Sequence, residues 1–144
     1  MKTQAQTMTS WIGYALLLAA ISGGCKEKSA GSAAKEVQAM NAMEAFGMIQ
    51  NDFGVLVDVR EESEVKEGMA APALWFPTSQ MKDDSAEWKA FLEKLPKNKK
   101  IIFYCAAGGR AGKVATKLST MGYQTANAGG FSDWVAAKLP VKKP

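Results

Sequence analysis

The segment that runs from Cys105 to Arg110 contains a cysteine, two glycines and an arginine, and it directly follows the apolar run Ile101 to Tyr104. An unbroken β-branched and aromatic run is typical of a buried strand in a parallel sheet. In open α/β sheets, ligands bind at the carboxyl ends of the strands, and the helix after such a strand points its amino terminus into the same crevice. The pattern therefore predicts a thiol at a ligand-binding sheet edge.

These residue types favour a thiolate held beside an anion-binding loop. Gly108 and Gly109 allow the backbone to turn so that successive amides form a nest for negative charge, and Arg110 adds a permanent, forked cation. A thiol in such surroundings ionises readily, with a pKa in the range of roughly 3.5 to 7.5 found for activated cysteines. We predict Cys105 as the catalytic nucleophile and the following residues as substrate-binding groups: Ala106, Ala107, Gly108, Gly109 and Arg110.

The composition excludes several kinds of site. The chain contains no histidine, so a Cys–His pair is excluded and the thiol must be activated by electrostatics. With two cysteines and no histidine, a Cys/His metal site is also excluded, and we expect no metal and no organic cofactor. The formal net charge is +4 with both signs interspersed, which gives little reason to expect nucleic acid as a partner. We expect a monomer.

The segment Cys105-Ala-Ala-Gly-Gly-Arg110 resembles the active-site loop of the rhodanese family of sulfurtransferases. The resemblance extends over about residues 37 to 141, through Val57 to Glu64, Gly68 to Pro77, Gly129 to Trp134 and Leu139-Pro140-Val141. One departure is Met69, where the family usually has a histidine. The resemblance implies an α/β fold with a central, mainly parallel sheet flanked by helices.

The same resemblance implies a sulfurtransferase that carries sulfur as a Cys105 persulfide. A small anionic donor such as thiosulfate, or a persulfide, would supply sulfane sulfur, and a thiol or cyanide would accept it. The loop amides would stabilise the persulfide, while Arg110 would orient the anionic donor.

Three alternatives stay open for this loop. A cysteine-dependent phosphatase or arsenate reductase would use the same thiolate, but four residues separate Cys105 from Arg110, as in rhodaneses, whereas the related phosphatases have five. A binding module that has lost turnover is disfavoured because inactive members usually lack the cysteine. The third alternative is a buried structural cysteine, which the glycines and the arginine argue against.

Two charged residues, Asp58 and Arg60, lie where the predicted strand Val55 to Val59 ends. Both could approach the crevice from the next strand. We favour structural roles near the site, because a carboxylate at a strand end commonly caps a neighbouring loop. Arg60 also has several nearby carboxylates as candidate partners: Glu61, Glu62 and Glu64.

The rest of the sequence predicts helices and strands that could hold the ligand-binding edge of the sheet in place. Apolar periodicity and capping residues predict helices at Ala42 to Gln50, after Ser85, at Ala111 to Met121 and at Phe131 to Lys138. Short apolar runs predict strands at Ala73 to Phe76 and Tyr123 to Ala126, in addition to the two described above.

The amino-terminal segment is distinct from this domain. An apolar stretch from Trp11 to Ile21 and small residues before Cys25 resemble a bacterial lipoprotein signal, which implies lipidation of Cys25. Cleavage nearby or an uncleaved short anchor are the alternatives. We therefore expect a signal peptide over 1–24, a tether over 25–36 and a rhodanese-like domain over 37–142. The protein would be lipid-anchored on the periplasmic side of the envelope, and Lys26 is compatible with outer-membrane sorting.

Overall fold

The computed structural model describes residues 37–144 and shows an α/β fold in which helices cover both faces of a parallel sheet. Within these residues, the strands are β1 (Gln38–Ala39), β2 (Gly54–Asp58), β3 (Met69–Ala70), β4 (Leu74–Trp75), β5 (Lys100–Cys105), β6 (Thr125–Gly130) and β7 (Val141–Lys142). The helices are α1 (Ala42–Gln50), α2 (Glu62–Val65), α3 (Ala86–Lys94), α4 (Gly109–Thr120) and α5 (Phe131–Ala136), with a 3-10 turn at Thr78–Gln80. The predicted fold class is confirmed.

The main sheet of the described region has the strand order β1-β6-β5-β2-β4, and every pairing in it is parallel. Strand β5 lies between β6 and β2, so the strand that ends in Cys105 is central. The apolar runs Val55 to Val59 and Ile101 to Tyr104 lie on adjacent strands, with the register Val55↔Ile101 to Asp58↔Tyr104. A separate antiparallel pair joins β3 to β7.

Two hydrophobic cores lie on opposite faces of the sheet. Helices α3 and α4 cover one face, where Trp88, Phe91 and Leu118 belong to the same hydrophobic cluster as Cys105. Helices α1 and α5 cover the other face, where Trp134 stacks on Tyr104 with ring centroids 6.5 Å apart. The central strand is therefore buried on both sides, which explains its continuous apolar run.

Capping residues fix several helix starts as predicted. Helix α1 begins after Asn41, whose side chain accepts from Glu44 N at 2.9 Å while the Glu44 carboxylate accepts from Asn41 N at 3.0 Å. Helix α3 begins after Ser85, whose hydroxyl accepts from Trp88 N at 3.1 Å. Each cap satisfies a backbone N–H that the helix leaves unpaired.

Three predicted elements have wrong boundaries. Helix α5 ends at Ala136 instead of Lys138, where the backbone turns to φ +56°. Helix α4 begins at Gly109 instead of Ala111, because Gly108 at φ +84° already turns the chain into the helix. The last strand of the main sheet runs from Thr125 to Gly130 instead of from Tyr123 to Ala126, because its parallel pairing with β5 continues to Cys105↔Gly130.

No helix within residues 37–144 combines the length and the hydropathy required to cross a bilayer.

Candidate active site

Cys105 is the last residue of β5 and lies almost entirely inside the protein, with 2 % of its surface exposed. Its register partner in β6 is Gly130, across an irregularity in the pairing between Phe103 and Cys105. It is the one free cysteine of the region that the structure describes. The thiol therefore occupies the carboxyl edge of the central strand, where parallel α/β sheets bind their ligands.

The loop after Cys105 folds back over the sulfur atom. Gly108 adopts φ +84°, which only glycine adopts freely, and this turn aims its N–H at Cys105 Sγ, with N···S 3.1 Å. The turn is held from β6, because Asn127 Nδ2 donates to Gly108 O at 3.1 Å while Asn127 Oδ1 accepts from Gly129 N at 3.0 Å. A Cβ at position 108 would lie 3.3 Å from Gly129 Cα. The loop around Gly108 and the end of β6 around Gly129 therefore pack closely and hold each other in place.

Backbone amides determine the acidity of this thiol. Burial raises the pKa of Cys105, but hydrogen bonds from the amides of Ala111, Ala107, Arg110 and Gly108 outweigh it, and the pKa lies below the ordinary thiol value. The reason is that an N–H donor stabilises the thiolate more than the thiol. Cys105 therefore forms a thiolate more readily than a free cysteine, without a histidine base.

Arg110 is bound to a carboxylate from another segment. Its Nη1 and Nη2 donate to the two carboxylate oxygens of Glu64 at 2.7 and 2.6 Å, and both side chains are about one-third exposed. The paired guanidinium lowers the pKa of Glu64 to about 2. Glu64 also raises the pKa of Arg110, and the negative charge of Cys105 contributes to this rise. Arg110 thus interacts with both the sulfur and an opposing carboxylate.

A second carboxylate, Glu61, lies at the start of α2. It accepts hydrogen bonds from Ser79 Oγ at 2.6 Å, Thr78 Oγ1 at 2.7 Å and Ser79 N at 3.1 Å. The Ser79 hydroxyl is the main cause of the lowered pKa of Glu61, and Arg110 adds a weaker attraction. The side of the site formed by α2 is therefore acidic.

Known proteins resemble this chain in sequence and in fold. The Rhodanese-like domain family matches residues 35–137. The chain belongs to this rhodanese-like family. It is 33% identical over 86 residues to YtwF of Bacillus subtilis (59% of this chain, 77% of YtwF), and 29% identical over 92 residues to a sulfurtransferase of Allochromatium vinosum (62% of this chain, 79% of that protein). The crystal structure of a rhodanese-related protein from Thermoplasma volcanium superposes with a TM-score of 0.62 at 27% identity, over 74% of this chain and 99% of that one. Family and relatives together support sulfurtransferase activity.

In this rhodanese-like domain, Asp58 and Arg60 form a buried ion pair at the end of β2. Arg60 Nη2 donates to Asp58 Oδ2 at 2.7 Å and to Gly68 O at 2.7 Å, and Tyr104 Oη donates to the same carboxylate. The guanidinium also lies over the Phe131 ring, 4.1 Å from its centroid. The expectation that Glu61, Glu62 or Glu64 would form the ion pair with Arg60 was wrong, because Asp58 binds Nε and Nη2 of the guanidinium. Arg60 Nη1 donates to the Glu64 carbonyl at 3.4 Å, and the Glu64 carboxylate is attracted to Arg60 without forming an ion pair with it.

The structure separates the other predicted site residues by exposure. Ala106, Ala107 and Gly109 are exposed on the rim, whereas Gly108 is buried. Cys25 lies outside the described residues. Sequence reasoning assigned Glu64 to Arg60 and missed that it binds Arg110, and it did not name Asn127, which holds Gly108. Both residues lie far from the loop in sequence, so no local pattern linked them to it.

Proposed function

We propose that this protein is a sulfurtransferase that carries sulfane sulfur as a persulfide on Cys105. The observation that supports this proposal most directly is the Gly108 amide, whose N–H donates to Cys105 Sγ at 3.1 Å. Together with the lowered pKa of the thiol, this arrangement favours a nucleophile that is ionised without a proton acceptor beside it.

In the first half-reaction, the Cys105 thiolate attacks the outer sulfur of a donor such as thiosulfate. A sulfur–sulfur bond forms to Cys105 while the sulfur–sulfur bond of the donor breaks, and its electron pair leaves with sulfite. No proton needs to move, which suits a site without histidine. The loop amides that face Sγ then stabilise the negative charge of the persulfide, as pre-oriented N–H donors do in oxyanion holes.

In the second half-reaction, a thiolate or cyanide attacks the outer sulfur of the persulfide. The bond to Cys105 breaks, the thiolate is regenerated, and the acceptor leaves as a persulfide or as thiocyanate. The exposed rim of Ala106, Ala107 and Gly109 carries no side chain larger than a methyl group, so it leaves room for an acceptor above the buried sulfur.

The test is the intact mass of the purified protein carrying Cys25→Ser, so that Cys105 is its sole thiol, before and after incubation with thiosulfate. We expect a gain of one sulfur atom that cyanide reverses and that Cys105→Ser abolishes. A folded protein that gains no sulfur from thiosulfate or from a persulfide would contradict the proposal and favour a binding module or an oxyanion hydrolase.

We also propose that Cys25 is lipidated and holds the domain at the periplasmic side of the envelope. The support is in the sequence: an apolar stretch from Trp11 to Ile21 precedes small residues and Cys25. Radiolabelled fatty acid should enter the protein in growing cells, and Cys25→Ser should prevent it. Equal labelling of the variant would contradict this proposal.

A further inference from the structure

The charged groups around the thiol differ from those that the loop sequence suggests. The loop from Cys105 to Arg110 contains a single charged side chain, that of Arg110, which by itself would present a cation to the donor. In the folded protein, the guanidinium is neutralised by Glu64, at 2.6 and 2.7 Å. Glu61 lies close enough to Arg110 for attraction. The two carboxylates thus exceed the one guanidinium by one negative charge.

Arg60 and Lys113 do not offset this excess negative charge near the sulfur atom. Arg60 is buried and bound to Asp58, Gly68 O and Glu64 O, and its attraction for the Glu64 carboxylate is the smallest of the causes that lower the pKa of that group. Lys113 lies in the first turn of α4, but its side chain is solvent-exposed, and an exposed charge is strongly screened by water and salt. The amide nest is therefore the main positive element that faces a donor, and it carries partial charges only.

The excess negative charge repels a sulfur donor more strongly when the donor itself carries more negative charge. Thiosulfate approaches the thiolate with two negative charges, whereas a persulfide carries at most one on its sulfur. Because Coulomb energy scales with the charge of the incoming group, the Glu64 carboxylate opposes thiosulfate about twice as strongly as a persulfide.

We infer that Glu64 is a specificity-determining residue that makes the site favour thiol persulfides over dianionic donors such as thiosulfate. This inference rests on the proposed sulfurtransferase function. The transfer is balanced: the Cys105 thiolate attacks the outer sulfur of R–S–S⁻, a new sulfur–sulfur bond forms as the old one breaks, and the donor leaves as the thiolate R–S⁻. No external oxidant or reductant is required.

The chain offers a close pair of variants for the test. Glu64→Gln removes the charge but keeps an oxygen that can accept the Glu61 N–H, which Glu64 Oε2 accepts at 3.0 Å. Glu62→Gln makes the same change on the same helix, at a side chain that is 70 % exposed and pairs with Lys66 instead. The second variant therefore controls for net charge and for any effect on α2.

The measurement is the rate of sulfur loading onto Cys105, followed by rapid quenching and intact mass, with thiosulfate and with freshly generated 2-mercaptoethanol persulfide as donors. For Glu64→Gln we expect the loading rate to rise roughly tenfold with thiosulfate and roughly threefold with the persulfide. The logarithm of the rate change is about twice as large for thiosulfate because its charge, and therefore its Coulomb energy, is twice as large. Glu62→Gln should change neither rate by more than about twofold. The pH profile of Cys105 alkylation should also shift to lower pH in Glu64→Gln, because the freed Arg110 stabilises the thiolate.

Equal changes with the two donors, lower rates with both, or the same response in Glu62→Gln would overturn the role of Glu64 in donor choice. Failure of both donors to load any variant, including the unsubstituted protein, would instead contradict the sulfurtransferase proposal itself. If Glu64→Gln does not fold, ionic strength decides in the unsubstituted protein. Loading by thiosulfate that accelerates with salt supports repulsion, and loading that slows with salt indicates attraction to a free cation and overturns the inference.

Discussion

Gly130 gives the most direct test of how the loop is built. It is the register partner of Cys105 in β6, and a Cβ at this position would lie 2.5 Å from Ala106 O and 3.3 Å from Ala106 C. Contacts of a Cβ below 3.0 Å are essentially never observed. Because the opposing atoms belong to the backbone, Gly130→Ala must push the loop away by at least about 0.5 Å in a closely packed region.

The consequence for activity follows from the amides that face the sulfur. The N–H of Gly108 reaches Cys105 Sγ at 3.1 Å, and hydrogen bonds weaken steeply with misalignment. A misplacement of about 1 Å near reacting atoms lowers a rate by about 100-fold, so a shift of at least about 0.5 Å corresponds to about 10-fold or more, and overpacking costs about 1–3 kcal/mol of stability. We therefore expect sulfur loading of Gly130→Ala to fall by about 10- to 100-fold, with a raised pKa of the Cys105 thiol.

The matched control is Gly109→Ala, since a Cβ at Gly109 meets nothing within 4 Å and the residue keeps its amide. Both variants would be compared by intact-mass loading rates, by the pH profile of iodoacetamide alkylation and by urea unfolding. Gly109→Ala should load sulfur at nearly the unsubstituted rate. A folded Gly130→Ala protein with the original loading rate and the original alkylation profile would refute the argument that close packing of Gly130 against Ala106 determines the position of the loop.

Three further predictions concern charges near the site. Arg110→Ala should raise the pKa of Cys105, because the guanidinium attracts the thiolate, and an unchanged alkylation profile would contradict this. Arg60→Met should cost about 3–5 kcal/mol in urea unfolding, because it removes the cationic partner of the buried Asp58 side chain; a loss below about 1 kcal/mol would show that the pair is dispensable. The pKa of Glu64 is about 2, against an ordinary 4.5, so its contribution to stability is complete above about pH 4.5 and is lost as pH falls towards 2. The stability advantage over Glu64→Gln should shrink across that window, and a constant difference in unfolding free energy from pH 6 to pH 2 would contradict it.

Local signals in the sequence predicted the elements that carry the thiol. The capping pair Asn41 and Glu44 fixed the start of α1 because its hydrogen bonds join residues three apart. The apolar run Ile101 to Tyr104 predicted a buried central strand because both of its faces are covered. Such features depend on near neighbours and on burial, which composition reveals.

Features set by distant contacts were not predictable in the same way. The last residues of β6, Ala128 to Gly130, have low strand propensity and extend only because β5 pairs with them. Glu64 binds Arg110 across 46 residues, and the sequence offered Arg60 as an equally plausible partner for its carboxylate. Strands of two residues, such as β1, β3 and β7, likewise form through pairing and leave no periodic pattern.

For the persulfide that we propose on Cys105, the burial of this residue determines which of the two sulfur atoms an acceptor can attack. The outer sulfur stands about 2 Å beyond Sγ, whereas Sγ itself belongs to a residue with 2 % exposure. An acceptor can therefore reach the outer atom, but the inner atom is shielded by the loop and the core. Attack on the inner atom would expel hydrosulfide and leave a mixed disulfide, and no second cysteine of the described residues could resolve it. In the proposed reaction, the depth of the thiol would therefore disfavour a mixed disulfide that only an external thiol could reduce.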